Sequence, residues 1–229
     1  MPAPGLKSAA PFIRERMELR TLPFCPEIRL YTPTPQTGLN SWLVAEGLDA
    51  APPYWAYAWG GGAALAIYLR DHREAVAGKT VLDFGAGSGL VAIAALKAGA
   101  ARVYAVEPDP IAQVAIGLNA AANHVDVTLW HAPVWPDVDL VLAGDVFYTA
   151  DVVAQTLPLL RRTADAGTPV LVGDPYRRDL PREHLQPIAD YAVPDMGGRE
   201  PVKAGVFALR PGHGGNVSGP LPGNRSRPI

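Results

Sequence analysis

The sequence predicts an α/β fold: a seven-stranded, mostly parallel twisted sheet with helices on both faces, closed by a C-terminal antiparallel hairpin. Two observations predict it. Short β-branched or apolar runs alternate with helical stretches of about 10 to 15 residues from Gly60 onward, a rhythm that calls for right-handed crossovers and a parallel sheet covered on both sides. The first of these runs ends in a glycine loop that opens a helix, the joint at which doubly wound sheets carry their ligands.

The elements follow in order. Ala63 to Val76 has apolar residues at helical spacing and stops before Gly78, a plausible C-terminal glycine. Strand-length runs then fall at Thr80 to Phe84, Arg102 to Glu107, Val125 to Trp130, Asp139 to Ala143 and Thr168 to Gly173. Helical stretches lie between them at Gly89 to Lys97, Ile111 to Ala122 and Asp151 to Thr163. A further helix is expected near Glu183 to Ile188, and Tyr191 to Val193 with Val202 to Leu209 supply the closing hairpin. The chain holds 23 Gly and 24 Pro among 229 residues, above average usage, and their location divides it. Residues 1–51 are broken by prolines and read as a dressing segment with one short helix near Phe12 to Leu19. Residues 52–210 form the domain, and residues 211–229, with five Gly and four Pro, read as a disordered tail.

Composition removes several classes of function. A formal net charge of -2 gives no general attraction to nucleic acid or anionic membrane, and no apolar run reaches the roughly 18 residues of a membrane span. One cysteine, Cys25, and five histidines without ligand spacing predict neither a disulfide nor a bound metal. The first twenty residues lack a secretory apolar region, and Glu15 and Glu18 are out of place in a mitochondrial address. A monomer in a reducing compartment is expected, the cytoplasm or, in a eukaryote, the mitochondrial matrix.

Val81-Leu82-Asp83-Phe84-Gly85-Ala86-Gly87-Ser88-Gly89 carries the chemistry. A dinucleotide fingerprint needs a third glycine where Leu90 stands, and Asp83 would repel a pyrophosphate. The Gly-x-Gly-x-Gly loop with its preceding acid resembles the first motif of class I S-adenosylmethionine-dependent methyltransferases. Asp83 suits a cationic amino-acid moiety, directly or through the loop. Glu107 ends the next strand, 22 residues after Gly85, where an acid accepts hydrogen bonds from ribose hydroxyls; Pro108 follows it. Asp109 suits the start of the next helix instead. The adenine contacts near Trp130, His131 and Pro133 stay open.

The fourth strand of the domain ends Gly144-Asp145-Val146-Phe147-Tyr148, and Asp145 with Tyr148 resembles the D-x-x-Y pattern of seven-β-strand protein lysine methyltransferases. A carboxylate can hold a lysine ammonium and a tyrosine face can offer a cation-π contact, while capping and packing are the plain alternatives. Gly173-Asp174-Pro175-Tyr176-Arg177 reads as a secondary rim element or a turn. Pro53-Tyr54-Trp55-Ala56-Tyr57-Ala58-Trp59, followed by Gly60 to Gly62, reads either as a core plug or as a lid with Trp59 near the cofactor.

Together these segments resemble the electron transfer flavoprotein β-subunit lysine methyltransferase family, related to ribosomal protein L11 methyltransferases, over about residues 52 to 210. The resemblance implies N-methylation of lysines in a protein by S-adenosylmethionine, on electron transfer flavoprotein β subunit or a ribosomal protein. It implies Asp145 and Tyr148 as catalytic residues and Trp59, Asp83, Gly85, Ala86, Gly87, Ser88, Gly89, Glu107, Pro108 and Asp145 as cofactor contacts. Methylation of a small amine and non-catalytic cofactor binding remain as alternatives.

Overall fold

A computed structural model describes residues 5–48, 52–195 and 200–212. Seven strands form one sheet: β3 (Thr80–Phe84), β4 (Arg102–Val106), β5 (Thr128–Leu129), β6 (Leu140–Gly144), β7 (Val170–Asp174), β8 (Leu185–Val193) and β9 (Val202–Leu209). Their order is β5-β4-β3-β6-β7-β9-β8. The first five pair in parallel, and β9 joins β7 and β8 antiparallel. Strand order reverses between β3 and β6, so the loops after these neighbours open a crevice at their carboxyl ends. The central strands carry unbroken apolar runs because both faces are covered. Helices α3 (Gly60–Asp71) and α4 (Leu90–Lys97) pack through Leu65, Leu69 and Ile93 on one face. Helix α6 (Ala150–Asp165) presses Leu160 against Val141, Val172 and Phe207 on the other.

Several boundaries differ from the sequence reading for identifiable reasons. The helix expected near Glu183 to Ile188 is a single 3-10 turn, Arg182–His184, running into β8. β8 is an edge strand with a register irregularity at Pro187, so its mixed burial imitates a helical period. At the opposite edge only Thr128–Leu129 of the expected third strand enters the ladder. Helix α3 begins three residues earlier than expected and stops at Asp71, so Gly78 lies in the turn before β3, where its N–H donates to the Gly99 carbonyl. Helix α5 (Pro110–Ala122) starts with the cap predicted for it: Asp109 accepts from the Ile111 N–H at 2.8 Å, with Pro110 at the first helical position.

The largest correction concerns the proline-rich beginning. Residues 5–48 are folded, with α1 (Leu6–Arg16), a hairpin of β1 (Glu18–Leu22) and β2 (Cys25–Thr32), and α2 (Leu39–Ala45). Pro23 in the hairpin turn and Pro26 near the start of β2 occupy positions that tolerate proline, while Pro11 lies inside α1. Ile13, Leu39, Leu43 and Trp55 form a core with Ile111 and Ala115 of α5. The free edge of β2 is answered by side chains instead of a third strand. Asn123 accepts from the Arg29 N–H and donates to the Arg29 carbonyl, and Asn119 accepts from the Tyr31 N–H. The spacing of four places both amides on one helix face, opposite residues spaced by two on one strand edge. The Asn119 side chain then donates to the Ser88 carbonyl at 2.8 Å, joining the hairpin to the glycine loop. The tail, assigned to residues 211–229, falls outside the described residues from position 213 on.

Candidate active site

The β3 loop reaches its shape because Gly85, Gly87 and Gly89 all take left-handed backbone angles, with φ of 71°, 51° and 81°. Along that path the Gly85 and Ala86 N–H groups donate to the Val106 carbonyl and the Gly89 N–H to the Ala86 carbonyl, which folds the loop over the end of β3. Glu107, at the end of β4, holds the loop there: its carboxylate accepts from the Gly87 N–H at 2.8 Å and the Asp109 N–H at 3.0 Å. Burial pushes the Glu107 carboxyl above its usual range, against these two bonds. Asp83 is buried beneath the loop and accepts from the Ala92 N–H at 2.9 Å, in the first turn of α4. Burial pushes its carboxyl up to about 7, outweighing that bond.

These groups line a cavity of about 900 Å³, within the range of small-molecule sites. Trp59, Asp83, Gly85, Ala86, Gly87, Ser88, Glu107, Pro108, Asp145 and Tyr148 all border it. Gly89 does not. It is the left-handed N-cap of α4, packed on Ile116, so its place in the motif is explained by the turn and not by a ligand. Trp130, His131 and Ala132 border the cavity as well.

The aromatic segment divides between its two readings. Trp55 and Ala56 are buried in the N-terminal core, as a plug would be, whereas Tyr54, Tyr57 and Trp59 form a wall of the cavity. Tyr54 packs on Trp59 and on Tyr148, with ring centroids 5.5 and 5.1 Å apart. Tyr54 and Tyr148 remain 37% and 39% exposed, which leaves this side of the cavity open to solvent.

Asp145 has a more particular role than a strand-end acid. It takes a left-handed φ of 59°, a conformation aspartate tolerates better than most residues. One carboxylate oxygen accepts from the Gly62 N–H at 2.6 Å, and the other accepts from Arg177 Nη1. It therefore caps α3, not the helix that follows it; α6 is capped by Thr149. Asp195 accepts from the Gly60 N–H at 2.9 Å, so carboxylates hold both ends of the three-glycine turn. The glycines also let α3 approach β7: a Cβ on Gly61 would overlap the Gly173 carbonyl oxygen.

The residue whose place the sequence understated is Arg177. Read as rim, it reaches into the cavity wall, pairs with Asp145 and donates to the fully buried Asp174 at 3.3 Å. Its own N–H donates to Asp174 at 2.7 Å, and its guanidinium lies 6.0 Å from the centre of the Trp59 ring. The Asp-x-x-Arg spacing was the available signal, since it returns an arginine over its own strand-end carboxylate. Burial pushes Asp174 up to about 6 despite Arg177, and burial likewise raises Asp145.

Comparison with known proteins agrees with this geometry. The ribosomal protein L11 methyltransferase (PrmA) family matches residues 63–166. The electron transfer flavoprotein beta subunit lysine methyltransferase of Xenopus laevis is 37% identical over 198 residues, 80% of this chain and 78% of that protein. Its Homo sapiens counterpart is 35% identical over 80% of this chain and 73% of its own length. In fold, the chain is similar to magnesium protoporphyrin IX methyltransferase from Synechocystis PCC 6803, crystallised with S-adenosylmethionine, with a TM-score of 0.50 and 15% identity over 65% of this chain and 77% of that one. With the specific aromatic and Gly-Asp-Val-Phe-Tyr segments set around one cavity, the chain belongs to the electron transfer flavoprotein beta subunit lysine methyltransferase family, a family of S-adenosylmethionine-dependent methyltransferases.

Proposed function

We propose that the chain methylates lysine side chains of electron transfer flavoprotein β subunit. One observation carries the reading: Asp145 and Tyr148 border the same cavity as the Asp83 to Ser88 loop and Glu107, so acceptor and cofactor groups share one chamber. The donor set fits the cofactor. Glu107 offers a carboxylate for ribose hydroxyls, Asp83 one for a cationic amino-acid moiety, Gly85 to Ser88 a close backbone, and Trp59, Pro108 and Asp145 the remaining walls. When bound, S-adenosylmethionine supplies a methyl group on a sulfonium; the acceptor nitrogen forms the new N–C bond as the S–C bond breaks, leaving its electron pair on sulfur.

The chain's tasks are orientation and charge. Asp145, fixed by Gly62 and Arg177, would face the nitrogen that gains positive charge, with the Tyr148 ring bordering the same cavity. Neither needs to act as a covalent nucleophile. The small net charge supports a protein partner over nucleic acid.

Purified electron transfer flavoprotein β subunit incubated with the enzyme and methyl-labelled cofactor should acquire label on lysine. Label on ribosomal protein L11 instead would redirect the substrate assignment, and no label on either would overturn it. Cofactor binding should also expel protons. A cation settling near Asp83 lowers a carboxyl that stands at about 7 in the free enzyme, so binding at pH 7 releases up to about half a proton. Calorimetric enthalpies measured in phosphate and in Tris should therefore differ, and Asp83→Asn should remove the difference. A buffer-independent enthalpy in the parent enzyme would place the cation elsewhere.

A further inference from the structure

The ground that would attract a lysine ammonium is already taken by a cation of the protein. Both oxygens of Asp145 are engaged, one by Gly62 N–H and one by Arg177, and the Trp59 face is covered by the same guanidinium. Arg177 is in turn anchored from behind through its backbone and side chain to Asp174. Swinging away would leave a fully buried carboxylate without its counter-charge, so the arginine is held in place.

This arrangement matters because only the neutral amine carries the lone pair that methyl transfer needs. A free lysine, with a pKa near 10.4, is neutral in only about one molecule in 2,500 at pH 7. An unpaired carboxylate at the acceptor end would make that fraction smaller by holding the ammonium. With Arg177 occupying that carboxylate the pull on the ammonium is cancelled, and the acceptor amine keeps a lower pKa than it would have beside a bare Asp145.

We infer that Arg177 is a positioning residue for the acceptor, which excludes the ammonium form of the incoming lysine from the Asp145 end of the cavity and admits the neutral amine. The inference rests on the lysine-methylation reading above. The proton leaves to bulk water through the mouth where Tyr54 and Tyr148 are exposed, so no protein base has to retain it. Asp145 and Asp174 both pair with Arg177, so this cluster offers an incoming ammonium no unpaired carboxylate. From the β8–β9 connection Asp195 is engaged by the Gly60 N–H. The aromatic segment brings the phenols Tyr54 and Tyr57, and the loop after β6 brings Tyr148 beside Asp145. Asp83 lies in β3, and Glu107 and His131 follow β4 and β5, on the cofactor side of the cavity.

The test uses two readouts. n-Butylammonium chloride, a mimic of the lysine side chain, is titrated calorimetrically at pH 7 into protein saturated with S-adenosylhomocysteine. Arg177→Gln should bind it about tenfold or more tightly than the parent, a comparison that needs no substrate protein. With electron transfer flavoprotein β subunit as acceptor, kcat for Arg177→Gln should fall at pH 7 and recover at high pH, its rising limb displaced upward by about 1 to 2 pH units. Arg177→Lys should keep the parental profile. If the single variant melts early, pairing it with Asp174→Asn removes the stranded carboxylate and permits the same measurements. Equal butylammonium affinity, or a loss of activity that alkaline pH does not rescue, would overturn the inference. Butylammonium discrimination without any labelled lysine would sink the substrate reading and leave the role of Arg177 standing.

Discussion

Asparagine in place of Asp145 is expected to lower turnover by about 100-fold or more while changing cofactor affinity by no more than a few-fold. The two side chains have the same shape, so the effect isolates charge and acceptor capacity. Both carboxylate oxygens accept, one from the Gly62 N–H and one from Arg177. An amide has one acceptor and one donor end, so either orientation sets an NH2 group against an N–H group. The variant therefore loses the anion beside the acceptor nitrogen and loosens the start of α3 together, at a cost of about 1 to 3 kcal/mol in stability. Single-turnover methylation with cofactor affinity measured in parallel separates the effects. Equal methylation rates in variant and parent would reduce Asp145 to a helix cap.

The second large effect is steric. A Cβ on Gly173 would overlap the Gly61 carbonyl oxygen and stand 2.8 Å from Leu65 Cγ. The obstruction is backbone, flanked by a helix already tied down by Asp145 and Asp195, so it cannot yield by a side-chain rotation. Gly173→Ala should cost about 3 kcal/mol or more, at the upper end of overpacking penalties. For a chain of this size that lowers the melting temperature by roughly 6 to 12 °C. It should also separate α3 from the Asp145 loop and depress methylation beyond the loss of folded protein. A melting curve unchanged from the parent would mean that α3 and β7 do not touch at this point.

What could be read from the chain was what local chemistry dictates. Asp83, the glycine loop and Glu107 announce themselves because strand, turn and helix follow within thirty residues and each residue type has one economical use there. Asp145 was legible for the same reason, as a strand-end acid beside the crevice. The pairing of Arg177 with Asp145 was not, because it arises from β6 and β7 lying side by side, whereas the Asp-x-x-Arg spacing points only to Asp174. Trp55 and Trp59 stand four residues apart in one motif yet serve the core and the cavity respectively, since a 3-10 turn rotates one inward. The N-terminal hairpin was hidden by its prolines. The signal that would have exposed it, Asn119 and Asn123 on an otherwise apolar helix face, reads as unremarkable polarity until the strand edge that they serve is known.

Those two amides also decide where this domain can be cut. A fragment beginning at residue 52 would keep every strand of the large sheet and every cavity residue. It would nevertheless uncover the apolar side of α5 and deprive Asn119 and Asn123 of the backbone that they replace as a sheet neighbour. Asn119 would then hold the Ser88 carbonyl from a helix with nothing behind it. The smallest autonomous unit of this protein accordingly includes the hairpin, and the methyltransferase core ends at a longer boundary than its motifs mark out.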